Sequence, residues 1–165
     1  MFTSILIQPL NLILFPKILS YISSAAYSEI TKMLSYVYII TLLGIVFAYI
    51  VSKFYFLDFM HLFFEKGKFT AYDSKMVYQV FLIYLTGAFG MVAMNIQNKV
   101  LTALKLFDVQ IYAGLLFIIF YFMLMTMLVH TEGYLASGIT YAICWSLYTV
   151  FAGVIIYKNV TGKQI

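Results

Sequence analysis

Long apolar runs separated by short polar connections dominate the pattern of the chain. The runs cover residues 33–52, 77–94, 109–129 and 135–157, and each is close to the roughly 20 residues that a helix needs to cross a bilayer. Helices are expected because every backbone group in hydrocarbon must be bonded within its own segment. The pattern therefore predicts an all-α polytopic membrane protein with four full transmembrane helices.

The N-terminal 19 residues are apolar but are interrupted by Pro9 and Pro16. The run from Phe2 to Phe15 is short for a full span, so we predict a partial or re-entrant helix over residues 1–19. No basic residue precedes this run and no small-residue cleavage site follows it, which argues against a signal peptide. Residues 20–32 form the first polar connection, for which we expect a short interfacial helix.

The longest polar interruption covers residues 63–73, within the predicted extracytoplasmic hairpin over residues 54–75 between the first two spans. Gly67 lies at its centre, where a tight turn favours a positive φ. Thr70 and Asp73 are both suitable N-caps for the helix that follows. Aromatic residues flank the loop, as is common at the depth of lipid headgroups. They are Phe54, Tyr55, Phe56 and Phe59 before the loop and Tyr72 and Tyr78 after it.

The composition supports the membrane assignment and excludes several classes of function. Hydrophobic residues make up 64% of the chain and charged residues 10%, whereas soluble domains have roughly 25% charged residues. All 10 basic residues are lysines, and the net charge of +4 is explained by positive cytoplasmic loops, so no nucleic-acid partner is expected. Cys144 is the only cysteine, which excludes an intrachain disulfide and a thiolate metal site.

The distribution of lysines predicts the orientation in the membrane. One set of helix ends has a net charge of +4, and the other set has none. Because cytoplasmic loops carry an excess of lysine, the first set is assigned to the cytoplasm and the 54–75 hairpin to the outside. The first set contains Lys17, Lys32, Lys99, Lys105, Lys158 and Lys163 with Glu29 and Asp108. The second contains Lys53, Lys66, Lys68 and Lys75 with Asp58, Glu65, Asp73 and Glu132.

No motif for catalysis or cofactor binding is present in the sequence. There is neither a glycine-rich phosphate loop nor a nucleophile elbow. His61 and His130 each lie beside a predicted membrane boundary, where an interfacial histidine is a simpler interpretation than a metal ligand. We therefore predict a protein that is not an enzyme and has no metal or cofactor.

A polar stripe extends into the end of the second span. Asn95, Asn98, Lys99 and Thr102 follow the spacing i, i+3, i+4, i+7 and share one helical face. Such a stripe usually faces protein or a water-filled cavity, so Asn95, Asn98 and Lys99 are candidate substrate-binding residues for an anionic lipid headgroup. The alternative is that Lys99 reaches the cytoplasmic interface and the amides lie at the water boundary.

Small residues predict close helix packing in two of the spans. Gly87, Gly90 and Ala93 lie on one side of the second span, and small residues let helix backbones approach each other closely. Gly44 and Ala48, spaced i, i+4, could serve the same purpose in the first span. The alternative for that pair is that small residues simply occur in membrane helices.

Several short stretches share their order and spacing with one family of membrane transporters. They are LFPKILS at 14–20, LFFEKGKFTAYD at 62–73 and HTEGYLAS at 130–137, with Tyr84 and Gly87 as a further match. In this order, they resemble the exit from the eighth helix, the loop after the ninth helix, the start of the twelfth helix and an element of the tenth helix in the lipid II flippase family (MurJ/MviN). That family belongs to the multidrug/oligosaccharidyl-lipid/polysaccharide exporter superfamily. The hairpin residues that carry the match are Phe64, Gly67, Phe69 and Asp73, for which a structural role is implied.

The resemblance implies a fragment or truncated member that carries part of the second lobe of a flippase bundle in the bacterial cytoplasmic membrane. The implied role is translocation of an undecaprenyl-diphosphate-linked precursor in peptidoglycan biosynthesis, by two bundles rocking about a central site. The implied partners are membrane lipid, a lipid-linked diphospho-oligosaccharide, and the missing N-terminal helices as a separate chain.

The chain also departs from the family pattern. The first lobe, which carries most of the family's cavity arginines, has no counterpart, and the connection at 102–109 lacks the family's proline. We therefore expect no transport by the chain alone. Two alternatives remain open: an exporter of another polysaccharide-lipid in the same superfamily, and a non-transporting membrane interaction subunit.

Overall fold

The part of the chain that the structure describes folds into five α-helices. The computed structural model describes residues 2–65 and 67–162, and the side chains of residues 12–65, 67–160 and 162. The described residues contain no β-strand, which confirms the all-α prediction. Lys66 and Lys163, which enter the orientation argument, lie outside the described residues. The helices are α1 (Phe2–Ser23), α2 (Tyr27–Phe63), α3 (Ala71–Ala103), α4 (Phe107–Glu132) and α5 (Ala136–Thr161), with a 3₁₀ turn over Gly133–Leu135 between the last two.

The described part of the chain contains three apolar helical segments long enough to cross a membrane. They are Tyr27–Phe63, Ala71–Ala103 and Phe107–Val160, and the last of them comprises α4, the 3₁₀ turn and α5. Within this last segment the chain reverses at Gly133, where φ is 55°. The Phe117 ring of α4 therefore packs against the Trp145 ring of α5, with their centroids 4.3 Å apart. These lengths and compositions indicate a multi-pass membrane protein.

The N-terminal region differs from the sequence prediction. Helix α1 continues beyond residue 19 to Ser23, and α2 begins at Tyr27, so the short interfacial helix expected over 20–32 was wrong. Ala25 adopts a positive φ of 55°. Its N–H bonds to the Ile22 carbonyl and that of Ala26 to the Tyr21 carbonyl, which is a Schellman turn. This turn reverses the chain within three residues, and residues 27–32 become the first turns of α2.

The hairpin between α2 and α3 is more helical than its polar sequence predicts. Helix α2 extends to Phe63 and α3 begins at Ala71, so the described loop between them consists of residues 64–65 and 67–70. The Phe56 ring packs on α3, with centroid distances of 5.3 Å to Tyr78 and 4.8 Å to Phe81. These ring contacts bring the two helices together well before the loop.

Helix α3 is central and contacts each of the other four helices. It runs parallel to α5, since Gly138 lies near Ile83, Trp145 near Gly90 and Gly153 near Gln97. A Cβ atom on Gly90 would lie 2.7 Å from the Trp145 backbone. The close contact predicted for α3 is thereby confirmed. No described atom lies within 4 Å of a Cβ built on Gly44, so the corresponding contact of α2 is not formed within the described residues.

The hydrophobic core lies toward the end of the bundle where α3 turns into α4. This end also holds the α1–α2 turn and the end of α5, so all five helices contribute to the core. Its side chains are no more than 8% exposed, and they surround the end of the polar stripe on α3. They are Ile18, Ile30, Leu34, Ile96, Val100, Leu101, Ala113, Tyr148, Ala152, Ile156 and Val160.

Candidate functional site

Gln97 is, with Ser74, one of the two most deeply buried polar side chains of α3, with only 1% of it exposed. Its Nε2 donates to the Tyr38 hydroxyl of α2 and to the Thr149 carbonyl of α5, at 2.9 Å in each case. The Thr149 carbonyl oxygen can only accept a hydrogen bond, so the NH₂ end of the Gln97 amide must face α5. A Cβ on Gly153 would lie 3.2 Å from Nε2, so glycine leaves room for Gln97 against α5. One glutamine thus joins three helices.

A second polar group lies beside Gln97 and centres on Asn98. The Tyr148 hydroxyl of α5 donates to Asn98 Oδ1 at 2.7 Å. The Asn98 carbonyl accepts from Thr102 Oγ1 at 2.8 Å and from Gln110 Nε2 at 2.7 Å, and Gln110 Nε2 also donates to Thr102 Oγ1 at 3.0 Å. Helices α3, α4 and α5 are connected by these bonds. We call the residues Tyr38, Gln97, Asn98, Thr102, Gln110, Tyr148 and Thr149 the polar layer.

The three candidate substrate-binding residues engage different groups of the protein. Asn95 Nδ2 donates to the Met91 carbonyl of its own helix at 2.8 Å, and Asn98 belongs to the polar layer. Lys99 Nζ lies 5.8 Å from the centroid of the Phe15 ring of α1, a distance typical of a cation–π contact. Asn98 therefore connects helices, and Lys99 contacts the helix that the sequence treats as partial.

The polar layer carries no formal charge. It consists of amides and hydroxyls, which orient a polar group by hydrogen bonding but do not neutralise an anion. Among the described residues, Lys32 Nζ forms an ion pair with Glu29 Oε1 at 2.7 Å and His61 Nδ1 lies 3.4 Å from Glu65 Oε2, and both contacts lie near helix ends. The part of the chain that the structure describes has no group of three His, Cys, Asp or Glu residues placed to hold a metal ion.

The hairpin residues named by the family resemblance form a compact cap. Thr70 is the N-cap of α3, and its N–H donates to Asp73 Oδ2 at 2.8 Å while the Asp73 N–H donates to Thr70 Oγ1 at 3.4 Å. This reciprocal pair is a capping box, so Thr70 is confirmed as the N-cap, whereas Asp73, the other candidate, occupies the N3 position. Gly67 has a φ of 75°, which confirms the positive φ expected there.

The remaining motif residues complete the hairpin around this cap. The Phe64 ring lies 6.0 Å from the ring of Phe59, and Phe69 is half-buried. Ser74 Oγ donates to Glu65 Oε1 at 2.6 Å, which connects the loop to α3. These local contacts give the hairpin a defined conformation of its own.

Sequence reasoning missed Gln97, which is not one of the residues of the polar stripe predicted at the end of the second span. A signal was available, because Gln97 lies seven residues after Gly90 and four after Ala93 and so continues the small-residue face of α3. A polar residue on a face that packs against another helix is expected to form a hydrogen bond across that contact. The partners Tyr38 and Thr149 are 59 and 52 residues away in sequence, and no local pattern indicates them.

Comparison with known proteins leaves the family of the chain open. No protein-family model matches the chain, and no curated protein and no solved structure matches it. The function is therefore argued from the residues and contacts described above.

Proposed function

We propose that the chain is part of the second lobe of a lipid II-type flippase in the bacterial cytoplasmic membrane. In this role it contributes to translocation of an undecaprenyl-diphosphate-linked peptidoglycan precursor. The observation that supports the proposal most is the fold of the 62–73 stretch. The run that resembles the family signature forms a compact, capped hairpin between two long apolar helices, which is the placement that the resemblance implies.

The proposal includes four full spans. Helices α4 and α5 each contain 26 residues, and at 1.5 Å per residue each is about 39 Å long. This exceeds the roughly 30 Å of the hydrocarbon core. Since α2 and α3 are longer still, α2 to α5 would cross the membrane in alternating directions. The loop at 64–70 would then lie outside the cell and the turn at 104–106 in the cytoplasm.

We also propose that the chain does not transport lipid by itself. A diphosphate in hydrocarbon is very unfavourable unless charged or polar groups accompany it. The polar layer supplies only neutral dipoles, and Lys53, the described lysine that lies furthest from a helix end, is exposed on the surface of α2. Alternating access also needs a second bundle that moves against the first. Additional helices are therefore required for both the cationic path and the motion.

The test is complementation in bacteria depleted of their own lipid II flippase. Residues 1–165 are expressed alone or together with the first lobe and remaining helices of a full-length flippase, and membrane accumulation is checked by immunoblot. We expect growth only in the second case. Rescue by residues 1–165 alone would overturn the claim that more helices are needed. Failure of the pair to rescue, with both chains accumulating, would count against the flippase assignment.

A second candidate is a non-transporting membrane interaction subunit, and the polar layer favours it. Gln97 and Asn98 donate to or accept from Tyr38, Tyr148 and Thr149, so their hydrogen bonds serve helix packing. Under this function the chain would co-purify with another membrane protein after mild detergent extraction. Its loss would lower the level of that partner without changing lipid II translocation measured in vesicles.

A further inference from the structure

Helices α4 and α5 form an open groove of about 220 Å³ on the surface of the bundle. Four residues of each helix line it, and all but Tyr148 and Cys144 have purely hydrocarbon side chains. Leu116, Phe120, Leu147 and Phe151 are each 41–52% exposed, so the groove opens away from the protein. The lining residues are Ala113, Leu116, Phe117, Phe120, Cys144, Leu147, Tyr148 and Phe151.

The size and chemistry of the groove match a hydrocarbon chain. Apolar cavities of roughly 150 Å³ stay free of water and accept small hydrocarbons. The groove is larger and open, so a linear chain can enter it along its length. Aromatic and aliphatic walls gain dispersion contacts with such a chain.

A lysine lies beyond one end of the groove. Lys158 follows Phe151 by seven residues, or two helical turns, and therefore lies on the same face of α5. It is exposed. Tyr148 lies at the middle of α5, and Lys158 is ten residues further on, about 15 Å along the axis. That distance is half of the roughly 30 Å hydrocarbon core, so Lys158 lies at headgroup depth when Tyr148 lies at the centre.

We propose that the α4–α5 groove binds one acyl chain of an anionic phospholipid whose phosphate contacts Lys158. This lipid lies in the leaflet next to the C-terminal end of α5. The inference rests on α4 and α5 each crossing the membrane, and it does not depend on flippase activity. The apolar wall holds the chain, and the lysine selects for negative charge because a basic residue at the membrane surface attracts anionic lipid.

The single tryptophan of the protein allows a direct test. Trp145 packs against Phe117, a lining residue, at 4.3 Å between ring centroids. The full 165-residue chain is reconstituted into phosphatidylcholine vesicles that contain a small fraction of brominated phosphatidylglycerol or brominated phosphatidylcholine. Bromine in contact with the indole quenches its fluorescence. We expect the anionic lipid to reach half-maximal quenching at about a fivefold lower mole fraction.

Matched variants separate specific binding from general lipid contact. Lys158→Gln should abolish the preference for the anionic lipid, while Lys75→Gln at the opposite end of the bundle should retain it. Leu116→Phe narrows the groove and should weaken quenching. Leu115→Phe should leave quenching unchanged, because Leu115 is equally apolar but does not line the groove. Circular dichroism checks that each variant is folded.

Two outcomes would overturn the proposal. One is equal quenching of the wild-type protein by both brominated lipids. The other is an anionic preference that persists in Lys158→Gln. The Lys158 comparison is decisive even if Leu116→Phe fails to fold, because Lys158 is exposed and carries no packing role in the core. Loss of complementation in bacteria would leave this lipid preference unchanged, so failure of the flippase assignment can be recognised separately.

Discussion

The close approach of α3 and α5 predicts that Gly90→Ala destabilises the protein. A Cβ at this position would lie 2.7 Å from both the carbonyl carbon and the carbonyl oxygen of Trp145 and 2.8 Å from its Cβ. These atoms belong to or adjoin the backbone, so no side-chain rotation relieves the contact. The helices would have to separate by about 0.7 Å to reach an ordinary van der Waals distance of about 3.4 Å. The separation would also stretch the bond from Thr149 Oγ1 to the Gly90 carbonyl, which is 3.0 Å long.

Two opposing contributions determine how much Gly90→Ala changes the free energy of unfolding. Replacing glycine by alanine inside a helix stabilises it by roughly 0.5–1 kcal/mol. Overpacking a well-packed contact costs roughly 1–3 kcal/mol. Since the second contribution is larger, we expect a net loss of about 1–2 kcal/mol in the free energy of unfolding. Gly90→Leu should cost more, because its longer side chain enters the same contact.

Gly44→Ala provides the matched control. No described atom lies within 4 Å of its Cβ position, so only the gain in helix propensity applies and the stability should stay constant or rise. Gly138→Ala should give an intermediate result, because its Cβ would meet the Ile83 side chain at 3.1 Å and a side chain can move.

The measurement is an SDS titration in mixed micelles followed by Trp145 fluorescence. This indole packs on Phe117 and reports helix packing rather than helix content. The predicted order of stability is Gly44→Ala, then Gly138→Ala, then Gly90→Ala. If Gly90→Ala proved as stable as Gly44→Ala, the inferred contact between α3 and α5 would be wrong.

Two further predictions concern the orientation and the polar layer. Cysteine at Lys68 or Lys105 in a Cys144→Ser background should react with an impermeant thiol reagent in intact cells only at position 68; reaction at 105 alone would reverse the orientation. Tyr148→Phe should lower the stability by about 0.6 kcal/mol and by no more than about 1.7 kcal/mol, the average and the maximum for hydrogen bonds between membrane helices, whereas the exposed Tyr112→Phe should have no effect. Equal stabilities in the same SDS titration would exclude a stabilising role for the Tyr148 hydrogen bond.

Features with a local cause could be predicted from the sequence. The helical class follows from the apolar runs, the cap of α3 from Thr70 and Asp73, and the close contact of α3 from Gly87 and Gly90. The cap and the close contact each depend on residues within one or two helical turns of each other, so their spacing carries the information. The positive φ of Gly67 belongs to the same group, because glycine adopts that conformation without a steric cost.

The sharp turns between helices could not be predicted in the same way. Both the α1–α2 and the α3–α4 connections are Schellman turns, with Ala25 and Lys105 at positive φ values of 55° and 60°. Glycine is the usual residue at such positions, since a Cβ disfavours them. Neither turn contains a glycine or a proline, so the polar connections at 20–32 and 102–109 do not show at which residue each helix ends. The buried residues Ile18, Ile30 and Leu101 on either side favour these turns, because they pack together only when the helices reverse there.

The polar layer explains why the two ends of the bundle should respond differently to substitution. At the end with the α3–α4 turn, hydrogen bonds join α2 to α3, α3 to α4 and α3 to α5, and the hydrophobic core surrounds them. At the opposite end the Thr70–Asp73 cap and the Ser74–Glu65 bond stay within the α2–α3 hairpin, and among the described residues a single bond, from the Tyr134 hydroxyl to Gln79, joins the α4–α5 turn to α3. A substitution in the polar layer therefore disturbs several helix contacts at once, whereas one in the hairpin acts on a single connection. The residues that carry the family resemblance at the hairpin can thus change with little effect on the core, which leaves this exposed loop free to serve contacts outside the chain.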